Sequence, residues 1–87
     1  MMVETDEARL KRLYMRSIRR GIKEMDLILG AFAAEELNGL SEAELTLYDA
    51  LLAENDHDLY QWVTGQVSAP ANYDALMGRI SRHAGAR

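Results

Sequence analysis

Apolar residues recur every three or four positions along most of the chain, which is the period of a helix with one buried side. The first apolar stripe consists of Leu10, Leu13, Tyr14 and Ile18. Thr5 stands ahead of this stripe, where its side-chain oxygen can accept a hydrogen bond from the first turn. The pattern therefore predicts a first helix that starts just after Thr5.

A second apolar stripe follows Gly21 and covers residues 22–37. Its principal positions are Ile22, Met25, Leu29, Phe32 and Ala33. An Asn-Gly pair follows, and Gly39 suits the left-handed conformation that often ends a helix. The sequence predicts a second helix here, with Gly21 immediately ahead of it.

The third helix has the clearest predicted start in the chain. Ser41 and Glu44 have the spacing of a capping box, in which each side chain accepts a hydrogen bond from the backbone of the other. The apolar pattern then continues to about residues 54–55. Asp56 is predicted to cap a short fourth helix, which Gly65 closes.

A loop around Pro70 precedes a fifth predicted helix, and proline suits the first turn of a helix. The apolar stripe of this helix consists of Tyr73, Leu76, Met77 and Ile80, and residues 84–87 are predicted to fray. No stretch alternates with a period of two, so no strand is predicted. The predicted fold class is all-α: a single compact bundle of five short helices forming one domain over residues 1–87, with its core in about 5–83.

The composition narrows the possible chemistry. The chain has 87 residues and no cysteine, which excludes disulfides, thiolate metal sites and cysteine nucleophiles. The acidic N-terminus does not resemble a targeting peptide. No apolar run approaches the roughly 18 residues needed to span a membrane. We therefore expect a cytoplasmic location and no membrane insertion.

Charge is segregated along the chain. Seven basic residues and no acidic ones lie between Arg9 and Lys23, whereas eleven acidic residues and no lysine or arginine lie between Glu24 and Gly78. This segregation indicates a basic face and an acidic face that would orient the molecule towards a partner. A solvated helix with long basic side chains would give the same pattern.

Residues typical of an active site are missing from the sequence. His57 and His83 lack metal-binding spacing, and both are expected on the surface. There is no glycine-rich loop for phosphates, and neither Ser41 nor Ser81 has a base near it in sequence. We therefore predict no catalytic, cofactor-binding or metal-binding residue, and a binding module rather than an enzyme.

Two alternatives for such a module remain, a generic helical adaptor and a small nucleic-acid-binding protein that uses the basic segment 9–23. Several basic residues on one helix could neutralise phosphates. The sequence pI of about 5.0 and the apolar second helix both count against nucleic-acid binding. Among the aromatic residues, Trp62 shares the stripe of Leu59 and is predicted in the core, while Tyr60 is predicted to be exposed.

Four sequence elements, in this order, resemble a known family. They are RRGIKEMD at 19–26, which contains an Arg-Gly-x-x-Glu motif, then LILGAF, LSEAEL and LLAENDHDLYQWV. The family consists of the small succinate dehydrogenase assembly factors that promote covalent attachment of FAD to the flavoprotein subunit. The resemblance runs from about Leu10 to Ile80 and implies a five-helix bundle, in agreement with the apolar pattern.

The resemblance implies that the protein is a chaperone and uses no cofactor of its own. Its partner would be the flavoprotein subunit of succinate dehydrogenase, with that of fumarate reductase as a possible second client. The client and its own FAD would form the covalent bond, and the small protein would align them. The resemblance also looks like that of a bacterial member, because no presequence precedes the domain.

The resemblance also implies a set of client-binding residues around the motif. These are Arg19, Arg20, Gly21, Lys23, Glu24, Asp26 and, on the fourth helix, Tyr60. Gly21 would allow close approach of the client backbone, although a simple hinge between helices would also explain a glycine here. Arg20 and Glu24 would present their charges to the client, or would pair with each other.

Overall fold

The computed structural model describes residues 4–85, and most of them are helical. In chain order the helices are α1 (Asp6–Ser17), α2 (Lys23–Glu36), α3 (Glu42–Leu51), α4 (Asp56–Thr64) and α5 (Asp74–Gly85), with 3₁₀ turns at Leu37–Gly39 and Ala71–Tyr73. No strand occurs in this range, so the prediction of an all-α, five-helix fold is confirmed. None of its helices combines the length and apolar character needed to cross a membrane.

Helix α2 lies at the centre of the bundle and packs against α1, α4 and α5. Its inner face buries Met25, Leu29 and Phe32 almost completely. The other helices complete the core with buried residues that include Leu13, Tyr48, Leu51, Leu59, Leu76 and Ile80. Because burying one such side chain contributes about 1.5–3 kcal/mol, this shared core is the main stabilising term.

A buried hydrogen-bond chain joins α3 to α1. The Ser17 hydroxyl donates to the Leu13 carbonyl at 2.7 Å and therefore accepts from the Tyr48 hydroxyl, also at 2.7 Å. Burial raises the pKa of Tyr48 to about 12, so the phenol stays protonated and remains a donor at neutral pH. The one polar side chain found buried in the described core is thus fully satisfied.

Three predicted helix signals are confirmed. Thr5 Oγ1 accepts a hydrogen bond from Ala8 N at 3.1 Å, which caps α1. Ser41 and Glu44 form the reciprocal capping box of α3, with bonds of 2.8 and 3.2 Å. Gly65 ends α4 with a φ of 82°, in the left-handed region that glycine tolerates best.

Two other predicted caps are wrong. Helix α4 is capped by Asn55, whose Oδ1 accepts from His57 N at 2.8 Å, and Asp56 is the first helical residue. Because Asn55 takes the capping role, the Asp56 carboxylate is free to bond elsewhere. Gly39 is not left-handed, since Gly65 is the residue with positive φ in the described range; the chain leaves α2 through a 3₁₀ turn instead.

Two predicted helix ends also differ from the structure. Helix α3 stops at Leu51, a few residues before the predicted end, because the Leu52 carbonyl that follows accepts a hydrogen bond from Arg20. Helix α5 continues to Gly85, so the predicted fraying is wrong for residues 84–85, and residues 86–87 lie outside the described range. His83, predicted on the surface, packs edge-on against Phe32 with ring centroids 5.7 Å apart.

Candidate functional site

The Arg-Gly-x-x-Glu motif begins in the linker between α1 and α2, residues 18–22, which we call the motif loop. The Arg20 side chain lies beneath this loop and is only 8% exposed. Its Nη1 donates to the Leu52 carbonyl at 2.8 Å, and its Nη2 donates to the Glu54 carbonyl at 3.3 Å. These carbonyls follow the last turn of α3, so Arg20 satisfies acceptors that the end of that helix leaves unpaired.

Arg20 also forms an ion pair with Asp56, the first residue of α4. Its Nε donates to Asp56 Oδ1 at 2.7 Å. The cation thus lies at the C-terminal end of α3 and the anion at the N-terminal end of α4, where each complements the dipole of its helix. The structure therefore excludes the predicted alternative in which Arg20 pairs with Glu24.

The second carboxylate oxygen of Asp56 holds the backbone of the motif loop. Gly21 N donates to Asp56 Oδ2 at 2.7 Å, so one side chain fixes two consecutive residues. A Cβ placed on Gly21 would lie 3.1 Å from the same oxygen. Gly21 therefore allows a close approach by the protein's own Asp56, which neither the hinge nor the client-approach interpretation had included.

Asp26 holds the loop from the other side. Its Oδ1 accepts a hydrogen bond from Arg20 N, and its side chain is partly buried in the first turn of α2. Two of the predicted client-binding residues, Arg20 and Asp26, thus shape the motif loop from within. Direct contact of either residue with a client stays a prediction.

Three predicted residues do face solvent: Arg19, Lys23 and Glu24. None of their side chains has a hydrogen-bond or ion-pair partner among residues 4–85. We call these three residues and the exposed Gly21 the docking edge. A guanidinium on this loop, with an ammonium and a carboxylate in the first turn of α2, can form hydrogen bonds and ion pairs with another protein.

Tyr60 and Trp62 differ less in burial than predicted. Both are partly buried and pack at the margin of the core. The Trp62 ring lies near that of Tyr73, with centroids 6.0 Å apart. Tyr60, expected to be exposed, lies in a groove beside Glu24. The prediction that Tyr60 is exposed is wrong, because its side chain, like that of Trp62, lies at the margin of the face that α4 packs against the core.

The charge segregation of the sequence is largely neutralised within the molecule. Arg12 pairs with Asp49 of α3 at 2.9 Å, Arg16 contacts the same carboxylate, and Arg9 pairs with Glu42. The Arg12 guanidinium lowers the pKa of Asp49, so this carboxylate is ionised at neutral pH. Arg9, Arg12 and Arg16 form the basic stripe of α1. The prediction of a separate basic face is wrong for this stripe, because acidic residues of α3 lie beside it.

Asp56 is the site residue that the sequence analysis missed. Asp56 was predicted to cap α4, which was enough to explain an acidic residue at a helix start. The preceding Asn55 was the signal that Asp56 need not be the cap. Asparagine is at least as good a cap as aspartate, so Asp56 had no need of that role.

Within residues 4–85 no three histidine or acidic side chains are grouped so that they could hold a metal ion.

Comparison with known proteins identifies relatives of this chain. A family model described as "Flavinator of succinate dehydrogenase" matches residues 11–84. A protein of Scheffersomyces stipitis named succinate dehydrogenase assembly factor 2, mitochondrial, is 48% identical over 71 residues, covering 82% of this chain and 44% of its own length. Assembly factor 2-A, mitochondrial, of Drosophila sechellia is 39% identical over 80 residues, covering 88% and 49%.

The chain thus spans about half the length of the curated relatives it matches. These relatives are named mitochondrial, which contradicts the predicted cytoplasmic location. The matched region includes the motif loop, the docking edge and Asp56. Because the match over residues 11–84 covers most of the sequence, the chain belongs to the family described as the flavinator of succinate dehydrogenase.

Proposed function

We propose that this protein is an assembly factor that binds the flavoprotein subunit of succinate dehydrogenase and promotes covalent attachment of FAD to it. The family description and the names of the relatives support this function. In this proposal FAD belongs to the client, and the assembly factor contributes neither a cofactor nor an active site of its own.

The single observation that carries the proposal is the construction of the docking edge. Asp56 and Asp26 hold the motif loop through hydrogen bonds to its Arg20 and Gly21, while Glu24 remains exposed. A surface that is ordered before binding loses less conformational entropy when a partner docks. The motif therefore supplies both a fixed backbone and an available carboxylate, which suits it to recognise a protein partner.

The proposed contribution to flavinylation is alignment. Holding two reactants in a productive geometry can lower a barrier substantially without any catalytic group. In this proposal the client provides the flavin and the side chain that attacks it, and the assembly factor keeps the client in the conformation that brings them together. A fumarate reductase flavoprotein as second client stays a prediction, which co-expression of that flavoprotein and in-gel fluorescence of its covalent flavin would test.

The first test replaces the exposed carboxylate of the motif. Glu24→Ala is expected to weaken client binding by about tenfold or more, because a charge-assisted hydrogen bond contributes about 1.5–3 kcal/mol. The covalent flavin content of the client should fall as a result. Covalent flavin is measured by in-gel fluorescence after co-expression with the flavoprotein subunit. Glu7→Ala, which removes an exposed carboxylate from the first turn of α1, is the matched control and should support full flavinylation.

Circular dichroism must show unchanged helicity in both variants. Gly21→Val is a less selective test than Glu24→Ala, because its side chain would also press on Asp56 and disturb the loop. If Glu24→Ala supports full flavinylation, the motif carboxylate does not recognise the client. If the unaltered protein itself fails to raise the covalent flavin content, the proposed function is wrong.

The nucleic-acid alternative has lost much of its support. Of the seven basic residues in segment 9–23, Arg9, Arg12 and Arg16 are paired with acidic residues, and Arg20 is buried. Phosphate binding requires cations whose charge is available. The arrangement of the arginines therefore favours a structural use of this segment.

A further inference from the structure

An apolar groove lies beside the docking edge, between α2, α4 and α5. Its volume is about 440 Å³, and its apolar lining includes Leu27, Ile28, Tyr60 and Val63. Glu24 lies at its border. The groove therefore adjoins the exposed carboxylate of the Arg-Gly-x-x-Glu motif.

Leu27 is the most exposed large apolar residue in the described part of the chain, at 65% of its surface. It separates the groove from a second concavity, which Tyr14, Gly30 and Ala31 help to line. Tyr14 is itself 39% exposed. A single exposed leucine needs no explanation. An exposed leucine that lies between two concavities, beside the Arg-Gly-x-x-Glu motif, is typical of a protein-binding surface.

The charged side chains that line the groove and the second concavity are all acidic. Glu24 is the charged side chain that lines the groove, and Asp26 and Glu35 line the second concavity. Asp26 is already used by the Arg20 backbone, and Glu35 lies 3.0 Å from His83 Nε2. Glu24 has no partner within residues 4–85. An arriving segment would therefore meet an apolar surface with one available carboxylate at its border.

We propose that this groove binds a segment of the flavoprotein client in which an apolar side chain lies next to an arginine or lysine. The apolar side chain packs on Leu27 and Ile28, and the cation pairs with Glu24. Arginine suits this position best, because its guanidinium can bond a carboxylate through two parallel hydrogen bonds. This inference rests on the proposed function, and it extends the recognition surface from the motif loop onto the faces of α2 and α4.

The apolar contact is tested with two matched substitutions. Leu27→Glu is expected to weaken the affinity for the purified flavoprotein subunit by about tenfold or more, since buried apolar anchors dominate such interfaces. Val67→Glu makes the same change at another exposed apolar residue, 46% exposed in the linker before α5, and should change the affinity less than about twofold. Both sites are exposed, so both variants should keep the helicity of the unaltered protein.

The cation is tested through the salt dependence of binding. Glu24→Gln should lower the affinity and should also reduce its dependence on ionic strength, because one opposite-charge contact has been removed. Glu7→Gln, with the same change in net charge, should do neither. If Glu24→Gln leaves the salt dependence unchanged, or strengthens binding, the client does not present a cation to Glu24 and the inference is overturned.

The possible failures can be separated by measurements on the unaltered protein. If it binds the subunit and raises covalent flavin, while Leu27→Glu behaves identically, the groove inference is wrong and the proposed function stands. If the unaltered protein neither binds nor promotes flavinylation, both are wrong. The groove could instead bind a second copy of this chain, and light scattering tests that alternative. If the unaltered protein is a dimer that Leu27→Glu dissociates without changing client affinity, the groove binds a second copy and the inference is overturned.

Discussion

One carboxylate, that of Asp56, connects three parts of the molecule at the residue scale. It bonds the Arg20 side chain and the Gly21 backbone, and Arg20 in turn bonds the carbonyls that follow α3. The pair is largely buried, with side-chain exposures of 8% for Arg20 and 18% for Asp56. A buried pair of this kind is costly to break, because removing one partner leaves the other charge without compensation.

We predict that Asp56→Ala lowers the free energy of unfolding by about 2–4 kcal/mol, since Arg20 would keep its buried charge and lose its counter-ion. Asp58→Ala is the matched control, because Asp58 is exposed in the same first turn of α4. The control removes a similar helix-dipole interaction and should cost less than about 1 kcal/mol. Urea unfolding measures both values, and equal losses would show that the bridge adds no stability.

The residues of the candidate site could be predicted only in part. Gly21 and Glu24 were identified because they belong to a motif within a few residues of sequence. Asp56 could not be identified in this way, because its partners lie 35 and 36 positions away. Asn55 accounts for the cap locally, but the direction of the Asp56 carboxylate is decided by the packing of α4 against the motif loop.

At the scale of the element, some helix ends could be predicted from the sequence and others could not. The caps at Thr5 and Ser41 were predictable, because each bond forms within three residues. The end of α3 was not, since the carbonyls of Leu52 and Glu54 bond to Arg20 from a different helix. The glycines that follow helices divide likewise: Gly65 is left-handed and Gly39 is not, although both follow an apolar stripe.

This difference between the two glycines leads to a prediction. Gly65→Ala should lower the free energy of unfolding by about 1 kcal/mol, because its φ of 82° disfavours a side chain. Gly39→Ala should be neutral or stabilising by up to about 1 kcal/mol, since its conformation is unstrained and no atom lies within 4 Å of an added Cβ. Thermal unfolding would contradict this reasoning if both variants lost stability equally.

At the scale of the whole molecule, the bundle uses its segregated charges to hold its own helices together. The basic stripe of α1 lies beside acidic residues of α3, so charges that are separate in sequence are neighbours in space. The apolar pattern predicted the number and order of helices, because each stripe is local. It could not show which helix faces which, and that arrangement decides whether the arginines are available to a partner.

The last prediction tests this neutralisation directly. In the double variant Glu42→Gln, Asp49→Asn, Arg9 and Arg16 lose their acidic partners on α3, whereas Arg12 keeps its ion pair with Glu4. The charges of Arg9 and Arg16 therefore become available to phosphates. The variant should elute from heparin at higher salt than the unaltered protein. Glu7→Gln, Asp74→Asn changes the net charge equally but away from the stripe, and should elute close to the unaltered protein. Equal elution of both double variants would show that net charge, rather than the pairing of α1 with α3, controls the affinity for polyanions.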